Sequence, residues 1–414
     1  MDAEFGCSWE LGWKVRLTLA QSYTRAMLIQ HSVMGFDQKN HLAASIARAA
    51  AVFCVDEVIV FDDDPSTISP YLENLRRQHQ SGKKASKADL QALVDPAEEG
   101  YHNPDQFLFH LLNYLECPPF LRVPLIAKHP NLNKAGVLPS TDMPHHLRAH
   151  DWCQYREGMV VDTKEVEAYY GNTSAPSTSS STSKKTKKPS KASTSESFSY
   201  VDCGLTHPVR ARTPVPAPLK TRVTIKFANA TPPPSWPDLS REETDNLEVD
   251  IVSPDAPRED GGFYWGYHVR RAASVSSIFE DSTFEGGYDA SIGTSERGVP
   301  LSSLIPTTSS TAISSPSEPP STLPPTFNHL LVVVGGREGI EPAVASDQKL
   351  RAAGLTKETA HQVFDYWVNL VPGQGSRTIR TEEAVWIALM GLRPWLDGLG
   401  EKQLVQSSVD SVLG

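Results

Sequence analysis

Residues 41–61 read HLAASIARAAAVFCVDEVIVF, and two periods share this stretch. From His41 to Cys54 it is rich in alanine, with apolar residues at helical spacing, which predicts a helix. From Val55 to Phe61 an apolar run built around DEVIV closes in the acidic turn Asp62–Asp63–Asp64–Pro65, which predicts a short buried strand. Upstream, Trp13–Ala20 alternates Val15, Leu17 and Leu19 with Arg16 and Thr18, a second strand. Strand, helix, strand at this spacing is a βαβ unit, and it predicts a parallel sheet.

Further along, Pro104–Leu115 (PDQFLFHLLNYL) predicts another helix, with Pro104 and Asp105 in the first turn where both are favoured. Beyond residue 120 the character changes. Short alternating runs, Arg156–Val161 and Thr221–Phe227, are separated by proline and glycine and predict a small antiparallel barrel or sandwich. Residues 229–260, rich in proline and acid, read as irregular. From Phe263 the α/β pattern returns as FYWGYHVRRA, YDASIG and HLLVVVGG, then a helix over Thr356–Asp365 and a last one from Arg380 to Met390. Trp265, Tyr267 and Val269 alternate as sheet core, and Arg270–Arg271 fit salt bridges. The expected organisation is an α/β domain (10–120 and 261–400) split by a β domain (121–260), with a tail at 401–414.

The 414-residue chain carries 39 Lys+Arg against 49 Asp+Glu, 39 − 49 = −10, which argues against a polycation that coats nucleic acid by bulk charge. A local basic groove remains compatible with that total. Only 39% of residues are hydrophobic and 32 are proline, so folded domains interrupted by disordered inserts are expected. Residues 171–197 hold 15 Ser/Thr and five lysines, among them Lys184, Lys185, Lys187 and Lys188; residues 300–325 hold seven prolines and 12 Ser/Thr. Neither stretch has the apolar surface to offset its ordering entropy. Five scattered cysteines without a CxxC pair fit a reducing compartment. No apolar run approaches the ~20 residues that span a bilayer, and no basic-then-apolar leader opens the chain. A soluble intracellular protein is expected, nuclear, nucleolar or cytoplasmic. His145–His146, His150 and Cys153 match no standard zinc spacing, so no metal is expected.

Three glycine-rich segments follow three predicted strands: Gly293–Gly298 after YDASIG, Gly335–Gly339 after HLLVVV, and Pro372–Arg380 after Val368–Val371. Ligands of open α/β sheets sit beyond the strands' carboxyl ends, and glycine lets backbone approach them closely. Standard motifs fail here. Gly373–Gln–Gly375–Ser–Arg–Thr378 lacks the third glycine and the βαβ context of a dinucleotide site; Gly293–Gly298 has the P-loop gap, but Val299–Pro300 replace its lysine and hydroxyl; no G-x-S-x-G occurs.

The chain resembles the SPOUT-class RNA methyltransferases, in particular the eukaryotic and archaeal group with an OB-like barrel inserted in the SPOUT domain. The resemblance rests on ARAAAVFCVDEVIVFD (47–62), YLECPPFLR (114–122), HPNL (129–132), PHHLR (144–148), YREG (155–158), YWGYHVR (264–270), GYDASIGTSERG (287–298), VVVGGREGIE (332–341) and PGQGSRTIRTEEA (372–384), in that order. It implies a C-terminal trefoil knot, S-adenosyl-L-methionine bound against the three glycine segments, and a homodimer. It implies cofactor contacts from Thr294, Arg297, Gly335, Gly336, Glu338, Gly339, Asn369, Gly373, Gln374, Gly375 and Thr378, with Ile379 beside the adenine. One departure stands out: Ala20–Gln21–Ser22 occupies the place of the family's Pro-Gly-Ser loop.

Methyl transfer is an in-line displacement that needs positioning and charge stabilisation. Arg297 and Arg377 are the candidates for the positive group, and Glu296, or Glu338, for the group that orients it or takes a proton. The expected function is methylation of RNA, ribosomal in the first place, at a pyrimidine ring nitrogen such as uridine N3. The alternative is a catalytically silent RNA-binding scaffold; a dehydrogenase would need a nicotinamide site that is not found. Residues 120–160 carry Arg122, Lys128, Lys134, Arg148 and Arg156 with Trp152 and Tyr155, a mildly basic surface suited to RNA capture by the barrel.

Overall fold

The computed structural model describes residues 16–22, 36–63, 104–162, 166, 197–306, 322–336 and 338–413. The Ser/Thr/Lys stretch before Ser197, residues 307–321 of the Ser/Pro stretch, Trp13–Val15 and Asp64–Pro65 lie outside the described residues.

The chain begins with β1 (Arg16–Ser22), α1 (Phe36–Val52), β2 (Glu57–Phe61) and α2 (Pro104–Glu116). β1 and β2 pair in parallel, Leu19 opposite Val58. Ala20–Ser22, which stand where the family shows a Pro-Gly-Ser loop, therefore belong to the strand. Helix α1 buries Ala43, Ile46, Ala47 and Ala50 along one stripe. It ends before Cys54, which takes φ +54°. The Val55 amide then bonds the Ala50 carbonyl at 2.9 Å and the Cys54 amide bonds Ala51 at 3.4 Å, a Schellman cap that turns the chain into β2.

Next come α3 (Pro119–Leu125) and five strands: β3 (Tyr155–Val161), β4 (Ser197–Asp202), β5 (Val209–Thr213), β6 (Arg222–Phe227) and β7 (Val249–Val252). They close a barrel in the order β3-β4-β5-β7-β6, which is compatible with an OB-like fold. Two expectations need correction. The barrel is not wholly antiparallel, because β5 and β7 run parallel. Residues 229–260 are not irregular throughout, since they supply β7 and the short helices α4 (Arg241–Asp245) and α5 (Ala256–Glu259). Acidic neighbours mask the four-residue β7, while the Ser240–Glu243 capping box starts α4. Buried Glu157 accepts hydrogen bonds from Arg222 Nε (2.6 Å), Thr224 Oγ1 (2.6 Å) and Trp265 Nε1 (2.7 Å). Trp265 thus anchors to the barrel instead of joining the sheet core.

The chain then adds β8 (His268–Ala272), α6 (Val275–Glu280), β9 (Ala290–Pro300), α7 (Leu301–Leu304), β10 (His329–Val334), α8 (Glu341–Ser346), α9 (Gln348–Ala352), β11 (Tyr366–Asn369) and α10 (Thr381–Leu413). With β1 and β2 these form one parallel six-stranded sheet, β11-β9-β10-β1-β2-β8. Residues 1–116, 128–143 and 266–414 make one compact unit; 117–127 and 144–265 make the other. The helix expected over Thr356–Asp365 is only a 3-10 turn at Ala360–Val363. There the Thr359 hydroxyl takes the Thr356 amide (2.8 Å), and Asp365 is drawn off to the backbone of Ser291 (2.8 Å). The last helix runs past Met390 to Leu413, through Pro394.

Arg270 and Arg271 do form ion pairs. Arg270 Nε meets buried Glu57 at 3.0 Å, and Arg271 pairs with Asp105. Burial and the Glu57 carboxylate push the Tyr288 hydroxyl, 2.8 Å from Glu57, up to about 12.

Asp347 caps α9. One oxygen accepts the Lys349 and Leu350 amides and the other accepts the Ser276 amide at 2.7 Å. Burial opposes its charge, yet these amides and the Ser274 and Ser276 hydroxyls hold the carboxyl below its ordinary value. A lowered acid pKa adds stability above the unfolded value, about 3.9, that is lost as pH falls through the folded value. Asp347→Ala is expected to cost about 1–2 kcal/mol at neutral pH. Urea melts should show the gap from the unchanged protein closing as the acid range is entered.

Candidate active site

Because the sheet is parallel, β9, β10 and β11 deliver their carboxyl ends to one edge. The first glycine segment is not a turn after a strand, as expected, but part of β9. Trp367 of β11 pairs with Gly293 and the next residue, Val368, with Val299, so Thr294–Gly298 bulge out between successive partners. A side chain at Gly298 would lie 2.4 Å from the Val368 carbonyl carbon, which is why the bulge closes on glycine. Inside it, buried Thr294 donates to the Val333 carbonyl (3.1 Å), while Glu296 and Arg297 are exposed.

The second segment follows β10. The Gly339 amide bonds back to the Gly336 carbonyl (3.0 Å), and a Cβ on Gly335 would fall 2.3 Å from the Gly339 carbonyl carbon. Glu338 is exposed. The third segment is held by its own polar groups. Gln374 Nε2 donates to the Ser376 carbonyl (3.1 Å), the Ser376 hydroxyl to the Thr378 carbonyl (2.9 Å), and the Arg380 amide to Glu383 (2.9 Å). Arg377 and Thr378 are exposed and Ile379 is half-buried. A Cβ at Gly373 or Gly375 would meet nothing within 4 Å.

Side chains join the segments. Asn369 Nδ2 donates to the Glu296 carbonyl (2.8 Å), linking the first segment to the end of β11, just before the third. The Ser295 hydroxyl donates to Glu341 Oε1 (2.6 Å), linking the first segment to the start of α8, just after the second. Arg297 stands 4.0 Å from the same oxygen. The Thr356 hydroxyl, with help from Arg297, keeps the Glu358 carboxyl low. Arg377 touches neither Arg297 nor Glu296; among the described residues it has no hydrogen bond or ion pair.

Two contributors escaped sequence reasoning, Ser295 and Glu341. The stretch REGIE offers two carboxylates, and only the fold reveals which one turns inward: Glu338 is exposed, whereas Glu341 is 7% exposed, its Oε2 without a hydrogen-bond partner among the described residues. Among the described residues the Thr381 hydroxyl, buried just after the third segment, also lacks a hydrogen-bond partner. Buried oxygens left without partners at the ends of these segments suit a polar organic ligand better than a closed structural turn.

Residues 29–392 match the model of a family described as "Putative RNA methyltransferase". The chain belongs to this SPOUT family of RNA methyltransferases. A mouse protein named 28S rRNA (uridine-N(3))-methyltransferase is 33% identical over 391 residues, 94% of this chain and 80% of the mouse protein. Proteins of the same name from human (33% over 387 residues, 92% and 80%) and Drosophila melanogaster (34% over 374 residues, 89% and 62%) are similar too. As an RNA methyltransferase the chain needs a methyl donor and an RNA acceptor. Among its described residues no group of three or more His, Cys, Asp or Glu is placed to hold a metal, and no helix is long and apolar enough to cross a membrane.

Proposed function

We propose that this methyltransferase takes its methyl group from S-adenosylmethionine and transfers it to N3 of a uridine in ribosomal RNA. The observation that carries the reading is the likeness, over 94% of the chain, to a protein named for that reaction. The gathering of three glycine segments at one sheet edge supports it. We further read 10–120 and 261–400 as one SPOUT domain with a C-terminal trefoil knot, 121–260 as an OB-like insert that captures RNA, and the working form as a homodimer. A ribosomal RNA substrate puts the work in the nucleolus, nucleus or cytoplasm.

The open backbone at Gly373 and Gly375, with Gly335, Gly336, Gly339, Thr294, Gln374 and Thr378, would hold the cofactor, and Ile379 would face its adenine. Bound there, S-adenosylmethionine supplies an electrophilic methyl group. The protein's own task is to prepare the acceptor. Uridine N3 carries a proton and must lose it to become a nucleophile; Glu296 is the candidate acceptor of that proton. Arg297 and Arg377 place guanidinium charge where the N3 anion develops. Asn369, tied to the Glu296 carbonyl, fixes the bulge that presents both Glu296 and Arg297. Titration calorimetry of the full chain with S-adenosylmethionine tests the reading: saturable binding at micromolar to sub-millimolar cofactor supports it, and no heat across that range favours a silent RNA-binding scaffold.

A further inference from the structure

The outward face of β4 and β5 carries an arrangement that the methyl-transfer site does not use. Burial alternates along both strands, putting Phe198 and Tyr200 of β4 and Arg210 and Arg212 of β5 on the outside of the barrel. Phe198 is 39% exposed, an aromatic ring left at the surface where most of the barrel's apolar side chains turn inward. Over it lies the Arg210 guanidinium, 3.7 Å from the ring centroid. Strand register explains the pairing: Phe198 lies opposite Arg212 and Tyr200 opposite Arg210, so Phe198 and Arg210 are diagonal neighbours on one face.

The other outward arginines of the barrel sheet have acidic partners. Arg212 grips Asp250 with two bonds (2.7 and 3.1 Å), and Arg222 meets Glu157 at 2.6 Å. Arg210 has no such partner among the described residues. No described acid offsets its charge, and its guanidinium carbon sits over a ring on an exposed residue. A guanidinium held in that way is preorganised for two things at once, stacking on a nucleobase and attracting phosphate. In five-stranded barrels of this order the second and third strands form the usual nucleic-acid face, and here those are β4 and β5.

We propose that the Phe198–Arg210 pair is a stacking platform for one unpaired base of the RNA substrate, so that the barrel captures a single-stranded segment. A duplex is a poor occupant, because its bases are already stacked and an isolated exposed ring has no face to meet. An acidic peptide would satisfy the charge of Arg210 but would leave the exposed ring without purpose. The inference rests on the RNA-methyltransferase reading and adds to it the form of RNA and the place where it docks.

The test uses the full-length chain and a fluorescent single-stranded oligoribonucleotide, free and annealed into duplex, with anisotropy read at several salt concentrations. Phe198→Ala and Arg210→Ala are each expected to weaken single-strand binding about 5- to 100-fold. Phe198→Tyr should restore binding. Arg212→Ala, which breaks the pair with Asp250, should change it by less than about 3-fold. Arg210→Ala should also flatten the salt dependence, while Phe198→Ala leaves the slope unchanged, a split that mere unfolding would not produce. Unchanged affinity in both alanine variants overturns the platform, and so does equal loss for single strand and duplex. Calorimetry with S-adenosylmethionine on the same preparations keeps the two questions apart. Cofactor binding with no effect of the variants on RNA removes only the platform; a wild-type chain that binds neither cofactor nor RNA removes the broader reading, and the platform with it.

Discussion

Arg377→Ala is expected to slow methyl transfer about 100- to 1,000-fold while leaving the thermal midpoint where it was. The two halves of that result have separate causes. Arg377 is exposed and makes no hydrogen bond or ion pair among the described residues, so its removal takes nothing from the folded state. The third segment around it is held by Gln374, Ser376 and Glu383 and should keep its shape. An arginine with no hydrogen bond or ion pair among the described residues, on a segment that edges the proposed cofactor site, is available for charge that appears only during reaction. Loss of a positive donor at a developing anion has the stated size in a water-poor site. Arg377→Lys should recover only part of the rate, since it keeps the charge but not the planar fork. Single-turnover rates with saturating RNA and cofactor, beside thermal melts, check both halves. Unchanged turnover in Arg377→Ala removes the residue from the mechanism.

Gly375→Ala should abolish tight cofactor binding, by about 100-fold or more, with a melt equal to that of the unchanged protein. A methyl group there meets nothing within 4 Å in the free chain, and the backbone is not in the left-handed region, so the folded state has room for it. If that room belongs to the cofactor, one methyl suffices to exclude close approach; forcing a methylene into a packed site costs on the order of 1–3 kcal/mol, and the displaced backbone contacts add to it. Gly335→Ala is the contrasting variant. Its methyl would sit 2.3 Å from the Gly339 carbonyl carbon and 2.5 Å from the Ile340 nitrogen, so the second segment must open before any ligand arrives. Gly335→Ala is therefore expected to lower both the melt and the affinity. Calorimetry and melts on the two variants separate a glycine kept for the ligand from one kept for the fold. Equal cofactor affinity in Gly375→Ala and the unchanged protein would place the cofactor elsewhere.

The parallel sheet was legible because its strands are continuous apolar runs, such as His329–Val334 and Glu57–Phe61, that little else in a sequence imitates. The helix boundaries were less so. The end of α1 is set by Cys54 in a left-handed conformation, which sequence rules assign to glycine first. β7 was hidden because four residues among acids carry almost no period; its place is fixed by pairing with β5 and β6 on either side. In the site, the glycine pattern located the second and third segments but misread the first. A run of glycines suits a turn and a bulged strand equally, and only the ladder with β11 decides between them. Ser295 and Glu341 were illegible for a related reason: which of two nearby carboxylates turns inward depends on the entry angle of α8, and that angle is set by packing of Ile340 and Val344 on the core.

The product expected of this chain is a uridine in ribosomal RNA methylated at N3. The direct measurement incubates the purified full chain with unmodified large-subunit ribosomal RNA and S-adenosylmethionine bearing a labelled methyl group, digests the RNA to nucleosides, and resolves them by mass spectrometry. The expected result is label in 3-methyluridine, formed far more slowly in the Arg377→Ala reaction. Label in any other nucleoside, or no label at all from a chain that binds the cofactor, would contradict the account.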